Sequence, residues 1–246
     1  MYDTLADVYD WLVPESLLAP EGSAAAFEMV LGELSPGALV LDCACGTGTL
    51  AVGLALRGFD VTASDASEAM VARTRALAAA HGARVEASAR RWEELAGGPF
   101  DAVFCVGNSI THARDRRAAL TAMRGVLRDE RSGDEASGRG SGLLAVTSRT
   151  WERVQEDGEE VVERHGRRAR VRRTWHAGDP PELEVAVTFD DDGTTHAERM
   201  AYWPFTHGEL QSDLTAGGFE PLASTFSLQA GRYVVTSRAN SSNASR

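Results

Sequence analysis

The sequence predicts an α/β fold: a doubly wound, mostly parallel, seven-stranded sheet with an antiparallel cap inserted late in the chain. Three observations lead there. Between Ala38 and Arg149 short apolar runs alternate with helical stretches, and strands alternating with helices build a parallel sheet. The runs LVL, AVFCV and LLAV are almost unbroken in apolar side chains, as strands covered on both faces require. From 150 to 205 the pattern changes to charged, β-rich hairpins.

The elements follow in order. Residues 1–20 form a leader with Tyr2, Tyr9, Trp11 and two prolines. A helix is expected from Ala24 to Leu34, stopped by Ser35-Pro36-Gly37 because proline cannot continue it. ALVLD reads as a strand, GTLAVGLALRG as a helix ending at glycine, and FDVTASD as the next strand. SEAMVARTRALAAAHG is a helix with Ser67 as N-cap and Gly82 as its stop. RVEASA, FDAVFCVGN and SGLLAVTSR are three further strands, with RRAALTAMRGVL a helix between the last two. Arg128 to Gly142 is polar, glycine-rich and without period, hence a mobile surface loop.

A two-residue turn at His165-Gly166 sets Glu163 opposite Arg168 and Glu159 opposite Arg172. LEVAVTF and THAERMAYW flank a second hairpin signal, Asp190-Asp191-Asp192-Gly193. A helix from Thr206 to Thr215 ends at Gly217-Gly218, and GRYVVTSR is the final strand. The chain is therefore read as one domain: an N-terminal helical lid over 1–37, a core of 38–149 and 206–238, a cap of 150–205, and a disordered tail of 239–246.

Composition bounds the function. The chain has 246 residues and a formal charge of −11, so it lacks the basic surface that grips nucleic acid or anionic membranes. No apolar run approaches a bilayer span of about 20 residues, and the acidic, aromatic start is unlike a signal peptide. Cys43, Cys45 and Cys105 are too few for a disulfide scaffold; a cytoplasmic setting follows. Cys43-x-Cys45 lacks a second pair, so no metal site is expected. All 25 cationic side chains are arginines, consistent with a G+C-rich coding bias. Six of them fall in RHGRRARVRR, a hairpin face matched to Glu159 and Glu163. The expected partner is a small-molecule amine, with association into a homo-oligomer left open.

The segment LDCACGTGTLA carries most of the chemistry. A strand ends at Asp42 and a glycine-bearing turn opens a helix, so backbone N–H groups and the positive helix end face a ligand. Gly46-x-Gly48-x-x-Ala51 matches the Rossmann dinucleotide fingerprint, a weak signal alone. Asp42 just before the turn would repel a pyrophosphate and welcome a cationic tail, while Asp65, 19 residues after Gly46, can accept both hydroxyls of a ribose.

With these residues the sequence resembles a class I S-adenosylmethionine-dependent methyltransferase, with a Rossmann-like fold. LDCACGTG is similar to that family's first motif, Ala44 standing where many members carry glycine. The resemblance implies that Gly46 and Gly48 let the cofactor approach, Asp42 holds its methionyl ammonium, Asp65 its ribose, and Ala66 and Met70 touch the adenosine. FDAVFCVGNSITHARD, GLLAVTSRTWERV and MAYWPFTHGELQSDLTAGGF further resemble segments of glycine N-methyltransferase and the bacterial glycine/sarcosine N-methyltransferases. That likeness implies that Gly107 and Asn108 line the meeting place of methyl and acceptor nitrogen, and that Arg149 grips an acceptor carboxylate.

Three departures accompany it. No acceptor side chain stands near Ala89, which leaves the backbone of Ala89 and Arg90 for the adenine. Residues 1–56 contain no arginine to reach the cofactor carboxylate, and the 128–142 loop is longer than the family's connection. Tyr2, Tyr9, Trp11 and Tyr202 have two readings: core anchors, or aromatic faces closing over a sulfonium, with Tyr9 then at the reaction centre beside Asn108. His112 and His207 are read as packing residues ahead of a general base. The function expected is N-methylation of an amino-acid-derived amine such as an antibiotic intermediate. Glycine or sarcosine is the alternative acceptor, and a non-catalytic nucleotide sensor is the alternative of another class. A nicotinamide dehydrogenase is disfavoured by Asp42 and the lack of a second catalytic domain.

Overall fold

The computed structural model describes residues 17–129, 141–154, 156–164, 167–191 and 194–240. Tyr2, Tyr9, Trp11, most of the 128–142 segment, the turns at 165–166 and 192–193 and residues 241–246 lie outside them.

Strands β1 (Leu39–Asp42), β2 (Asp60–Asp65), β3 (Val85–Ala89), β4 (Ala102–Cys105) and β5 (Leu143–Arg149) join β10 (Phe219–Ser224) and β11 (Arg232–Ala239) in one sheet. Its order is β10-β11-β5-β4-β1-β2-β3. β1 to β5 pair in parallel, and β11 runs antiparallel to both β5 and β10. Asp42, Asp65, Ala89, Cys105 and Arg149 consequently end five neighbouring strands on one edge, where open α/β sheets bind ligands.

The unbroken apolar runs are explained by what lies on each side. Val40, Phe104 and Ala145 face α1 (Pro20–Ala25), α2 (Glu28–Leu31) and α3 (Thr49–Leu56). Leu41, Val103, Leu144 and Val146 face α5 (Arg116–Gly125) and α6 (His207–Ala216). α4 (Glu68–Ala80) opens as expected, with Ser67 Oγ accepting the Met70 N–H at 3.2 Å. α3 and α1 meet at Gly53, where an added Cβ would stand 2.1 Å from the Pro20 carbonyl oxygen; only glycine permits that approach. Asp213 of α6 accepts from Arg116 at 2.9 Å and Arg117 at 2.7 Å, tying α6 to α5.

Two expectations change. The helix expected over 24–34 is two short ones, because Phe27 leaves helical geometry (φ −118°, ψ 20°) to set its ring edge-on to Phe104 at 5.5 Å. Pro20 sits in the first turn of α1, where its missing N–H costs nothing. β10 carries no strand signal in the sequence; it is an edge strand bulged between Pro221 and Ala223, where proline is tolerated.

The cap is a second sheet of β6 (Gly158–Arg164), β7 (Arg167–His176), β8 (Glu182–Asp191) and β9 (Thr194–Tyr202), in that order. Its register places Glu159 opposite Arg172 and Glu163 opposite Arg168, as the sequence predicts. One face carries these charges, with Arg172 and Glu159 3.2 Å apart; the other carries Val162, Val171, Val185, Val187 and Met200. Among the described residues no helix is long and apolar enough to cross a membrane.

Candidate active site

A cleft of about 490 Å³ lies between the ends of β1, β4 and β5 and the apolar face of the cap. The β1 turn contributes Asp42, Ala44 and Gly46, the β4 turn Gly107 and Asn108, and β5 Arg149. Trp151, Tyr202 and Tyr233 supply aromatic walls.

Asp42 is fully buried. Its Oδ1 accepts a long bond from the Ala44 N–H at 3.5 Å, and its Oδ2 has no partner among the described residues. Burial pushes its carboxyl up to about 7, with the Ala44 bond opposing and the neighbouring Asp65 charge adding. A buried carboxylate oxygen without a donor, in a cleft wall, is an unmet demand for a cation or a proton. Asp65 differs. Its Oδ2 accepts the Gly46 N–H at 3.0 Å and its Oδ1 the Ser67 N–H at 2.9 Å. It thereby clasps the turns after β1 and β2.

The two glycines of the turn have separate tasks. Gly46 lines the cleft at φ 53°. Gly48, at φ 89°, points its missing Cβ at Thr74, 2.8 Å away, so its bareness lets α3 pack on α4. Gly48 is not part of the cleft's wall. Asp65, Ala66, Met70, Ala89 and Arg90 are not part of this cleft's wall. Met70 is buried beneath the Ser67 cap. Ala89 is exposed in register with Asp65, and the Arg90 N–H donates to the Asp65 carbonyl at 2.9 Å. Arg90 lines a separate cleft of about 530 Å³ on the sheet face beside Leu41 and Leu95.

Asn108 joins the β4 turn to β5. It is the one non-glycine residue with positive φ (71°) among the described residues, a geometry asparagine adopts at little cost. Its Oδ1 accepts the Arg149 N–H at 2.9 Å, which commits that end of the amide and leaves Nδ2 as a donor in the cleft. The Arg149 guanidinium is exposed, makes no ion pair among the described residues, and lies 5.8 Å over the Trp151 ring. The Tyr202 ring lies 4.5 Å from that of His112, tilted by 35°.

Neither histidine is placed as a base. His112 shares a hydrogen bond of 2.9 Å with the Ala201 carbonyl through Nδ1, and burial pulls it down to about 4, so it is neutral near pH 7. His207 stacks on Phe226 at 4.2 Å. Burial pushes the Tyr233 hydroxyl up to about 12, which keeps it protonated. Cys43, Cys45 and Cys105 are buried free thiols. Tyr233, Trp151 and Arg173 of β7 line the cleft without having been singled out from the sequence. Tyr233 and Arg173 had only the period of two of their strands as a signal, and Trp151, in a short helical turn after β5, had none.

Residues 40–130 match the family described as a methyltransferase domain. The fold is shared with a solved S-adenosylmethionine-dependent methyltransferase from Clostridium acetobutylicum ATCC 824, at a TM-score of 0.76 and 16% identity, over 97% of this chain and 99% of that one. A glycine/sarcosine N-methyltransferase of Parasynechococcus marenigrum (strain WH8102) is 30% identical over 196 residues, which cover 75% of this chain and 64% of that protein. The chain thus spans less than two thirds of that relative's length. Among solved structures, the CcbJ methyltransferase of Streptomyces caelestis aligns with a TM-score of 0.78 at 20% identity, over 97% of each chain. An amino pentose methyltransferase from Micromonospora echinaspora, involved in calicheamicin biosynthesis, aligns with a TM-score of 0.68 at 22% identity, over 95% of each chain.

Proposed function

We propose that the chain is an S-adenosylmethionine-dependent N-methyltransferase acting on a small, amino-acid-derived amine of specialised metabolism, such as an antibiotic intermediate. The observation that carries the nitrogen acceptor is that the one group of the cleft raised to about 7, Asp42, is taken by the cofactor ammonium in this reading, and that no histidine lines the cleft among the described residues. His112 is neutral and committed to Ala201, and Tyr233 stays protonated. An amine can lose its proton to water before it binds, whereas a hydroxyl would want a base in place.

The β1 and β2 turns fit the cofactor. Asp42 offers an unpaired buried oxygen to an ammonium, Asp65 two pinned carboxylate oxygens to ribose hydroxyls, and Ala44, Gly46 and Gly107 little side-chain bulk. When bound, the cofactor supplies a methyl on a sulfonium, which passes to the nitrogen lone pair while the S–C electrons return to sulfur. The protein's part is orientation and exclusion of water. Asn108 Nδ2 donates to the acceptor, Arg149 holds its carboxylate, and Trp151 and Tyr202 close the wall.

Glycine or sarcosine as acceptor is favoured by the relative of that name. Methyl-labelled S-adenosylmethionine offered with paired amines and alcohols of one carbon skeleton decides the nucleophile. Label on nitrogen is expected; faster labelling of the alcohols overturns the reading. Calorimetry with NADH in place of S-adenosylmethionine tests the nucleotide-sensor alternative.

Asp42 gives a pH test. With its carboxyl raised to about 7, a cation entering below that pH must displace a proton. Cofactor affinity is expected to fall about tenfold per pH unit below 7 and to level off above it. Folding responds with the opposite sign. A carboxyl whose pKa is higher folded than unfolded contributes stability at low pH that is lost as pH rises through about 7. Asp42→Asn is therefore expected to flatten the binding profile, weaken binding about tenfold at pH 8, and raise the cofactor-free melting temperature more at pH 8 than at pH 5. Calorimetry and thermal melts across pH 5 to 8.5 check both halves.

A further inference from the structure

The end of the cleft away from Asp42 has a composition of its own. Alternate residues of β6 to β9 turn Val162, Val171, Val185, Val187 and Met200 toward it, and the three strands β6, β7 and β8 each leave a half-buried valine on its wall. This apolar wall gives way to charge at Arg173, which follows Val171 on the same face of β7. Arg173 Nη1 meets Glu160 at 2.8 Å, while its Nε is buried without a partner among the described residues. Gly158 makes room for this guanidinium, since an added Cβ there would stand 3.0 Å from Arg173.

Arg149 and Arg173 also line a polar outer cleft of about 680 Å³, so they mark the mouth between the two. Arg232, paired with Arg149 across β11 and β5, faces the inner cleft as well. Three arginines thus share the inner cleft with one glutamate, Glu160, at this end. Of the outer acids, Glu152 accepts the His207 N–H at 2.6 Å, Asp157 the Trp175 N–H at 2.7 Å, and Glu156 is exposed at the outer rim, so the excess of positive charge lies on the inner side. Positive charge near a low-dielectric wall attracts an anion strongly.

We propose that the acceptor is an amphiphilic amine, with an apolar body against the valine face of the cap and an anionic group between Arg149 and Arg173. Arg173 is then a specificity residue supplied by the inserted sheet. Glycine matches the arginines and leaves the valine wall wet; a simple alkylamine matches the wall and leaves Arg149 and the Arg173 Nε unmet. Filling both contributes twice, since removing apolar surface from water is favourable in proportion to its area. Charge-assisted bonds to the guanidiniums add to it.

This inference rests on the methyltransferase reading, and the test separates the two. Initial rates with S-adenosylmethionine are measured for glycine, phenylalanine, leucine and phenethylamine, beside calorimetry for the cofactor. Phenylalanine and leucine are expected to exceed both glycine and phenethylamine in kcat/KM by tenfold or more. Arg173→Met should raise KM for phenylalanine at least tenfold and for phenethylamine less than twofold. The near-isosteric Val171→Thr, which keeps the strand's β-branched shape, should cost phenylalanine several-fold more than glycine. Glycine equal or superior to phenylalanine overturns the proposal, as does an Arg173→Met variant that folds and shifts both KM values alike. No turnover on any probe by a protein that binds cofactor overturns it too, with the cofactor assignment intact. Failure to bind S-adenosylmethionine overturns the methyltransferase reading itself.

Discussion

Asp65→Ala is expected to weaken S-adenosylmethionine binding by about 2–4 kcal/mol, the scale of two lost charge-assisted hydrogen bonds. Loss of ribose contacts is half of the reason. The carboxylate also accepts the Gly46 and Ser67 N–H groups at 3.0 and 2.9 Å, so its removal leaves two turn amides without their acceptor. The turn after β1 then has no fixed shape into which Asp42 can present its orphaned oxygen. Asp65→Asn should be intermediate, because an amide oxygen can keep one of the two N–H bonds. Calorimetry with S-adenosylhomocysteine checks the order Asp, Asn, Ala; equal affinity in all three removes Asp65 from the cofactor site.

The same carboxylate shows how far the sequence reaches. Asp65 at a strand end and glycines after the preceding strand are local features, and local features were legible: strands, the cap at Ser67, and the Glu159–Arg172 register all follow from short-range pattern. What was not legible depends on what packs from elsewhere. Gly48 fits a ligand fingerprint, yet its bareness serves Thr74 on another helix. Phe27 breaks a helix to reach Phe104, 77 residues on. Arg173 reads as one of six hairpin arginines until the strand alternation turns it inward while Arg170 and Arg172 turn outward. The sign of the face, inner or outer, is set by tertiary placement of the cap and not by the strand's own residues.

Asn108 offers the sharpest test of the proposed chemistry, because its backbone and side chain can be separated. The positive φ of 71° would burden most replacements with about 1 kcal/mol or more of strain, which confuses a kinetic result. Asn108→Gly accepts that geometry freely and removes only the amide. Two contacts go with it: Oδ1 to the Arg149 N–H at 2.9 Å, and the Nδ2 donor in the cleft. The first holds the β5 end, and hence Arg149, in place; the second orients the acceptor. Turnover is expected to fall about a hundredfold, the scale of a small misplacement of reacting groups, while cofactor affinity changes less than threefold. Asn108→Asp divides the effect, since a carboxylate oxygen still accepts from Arg149 but nothing remains to donate. If the aspartate variant is as impaired in kcat as the glycine variant, Nδ2 carries the chemistry; if it recovers most of the activity, the hold on Arg149 does. A loss below threefold in Asn108→Gly removes Asn108 from the reaction centre.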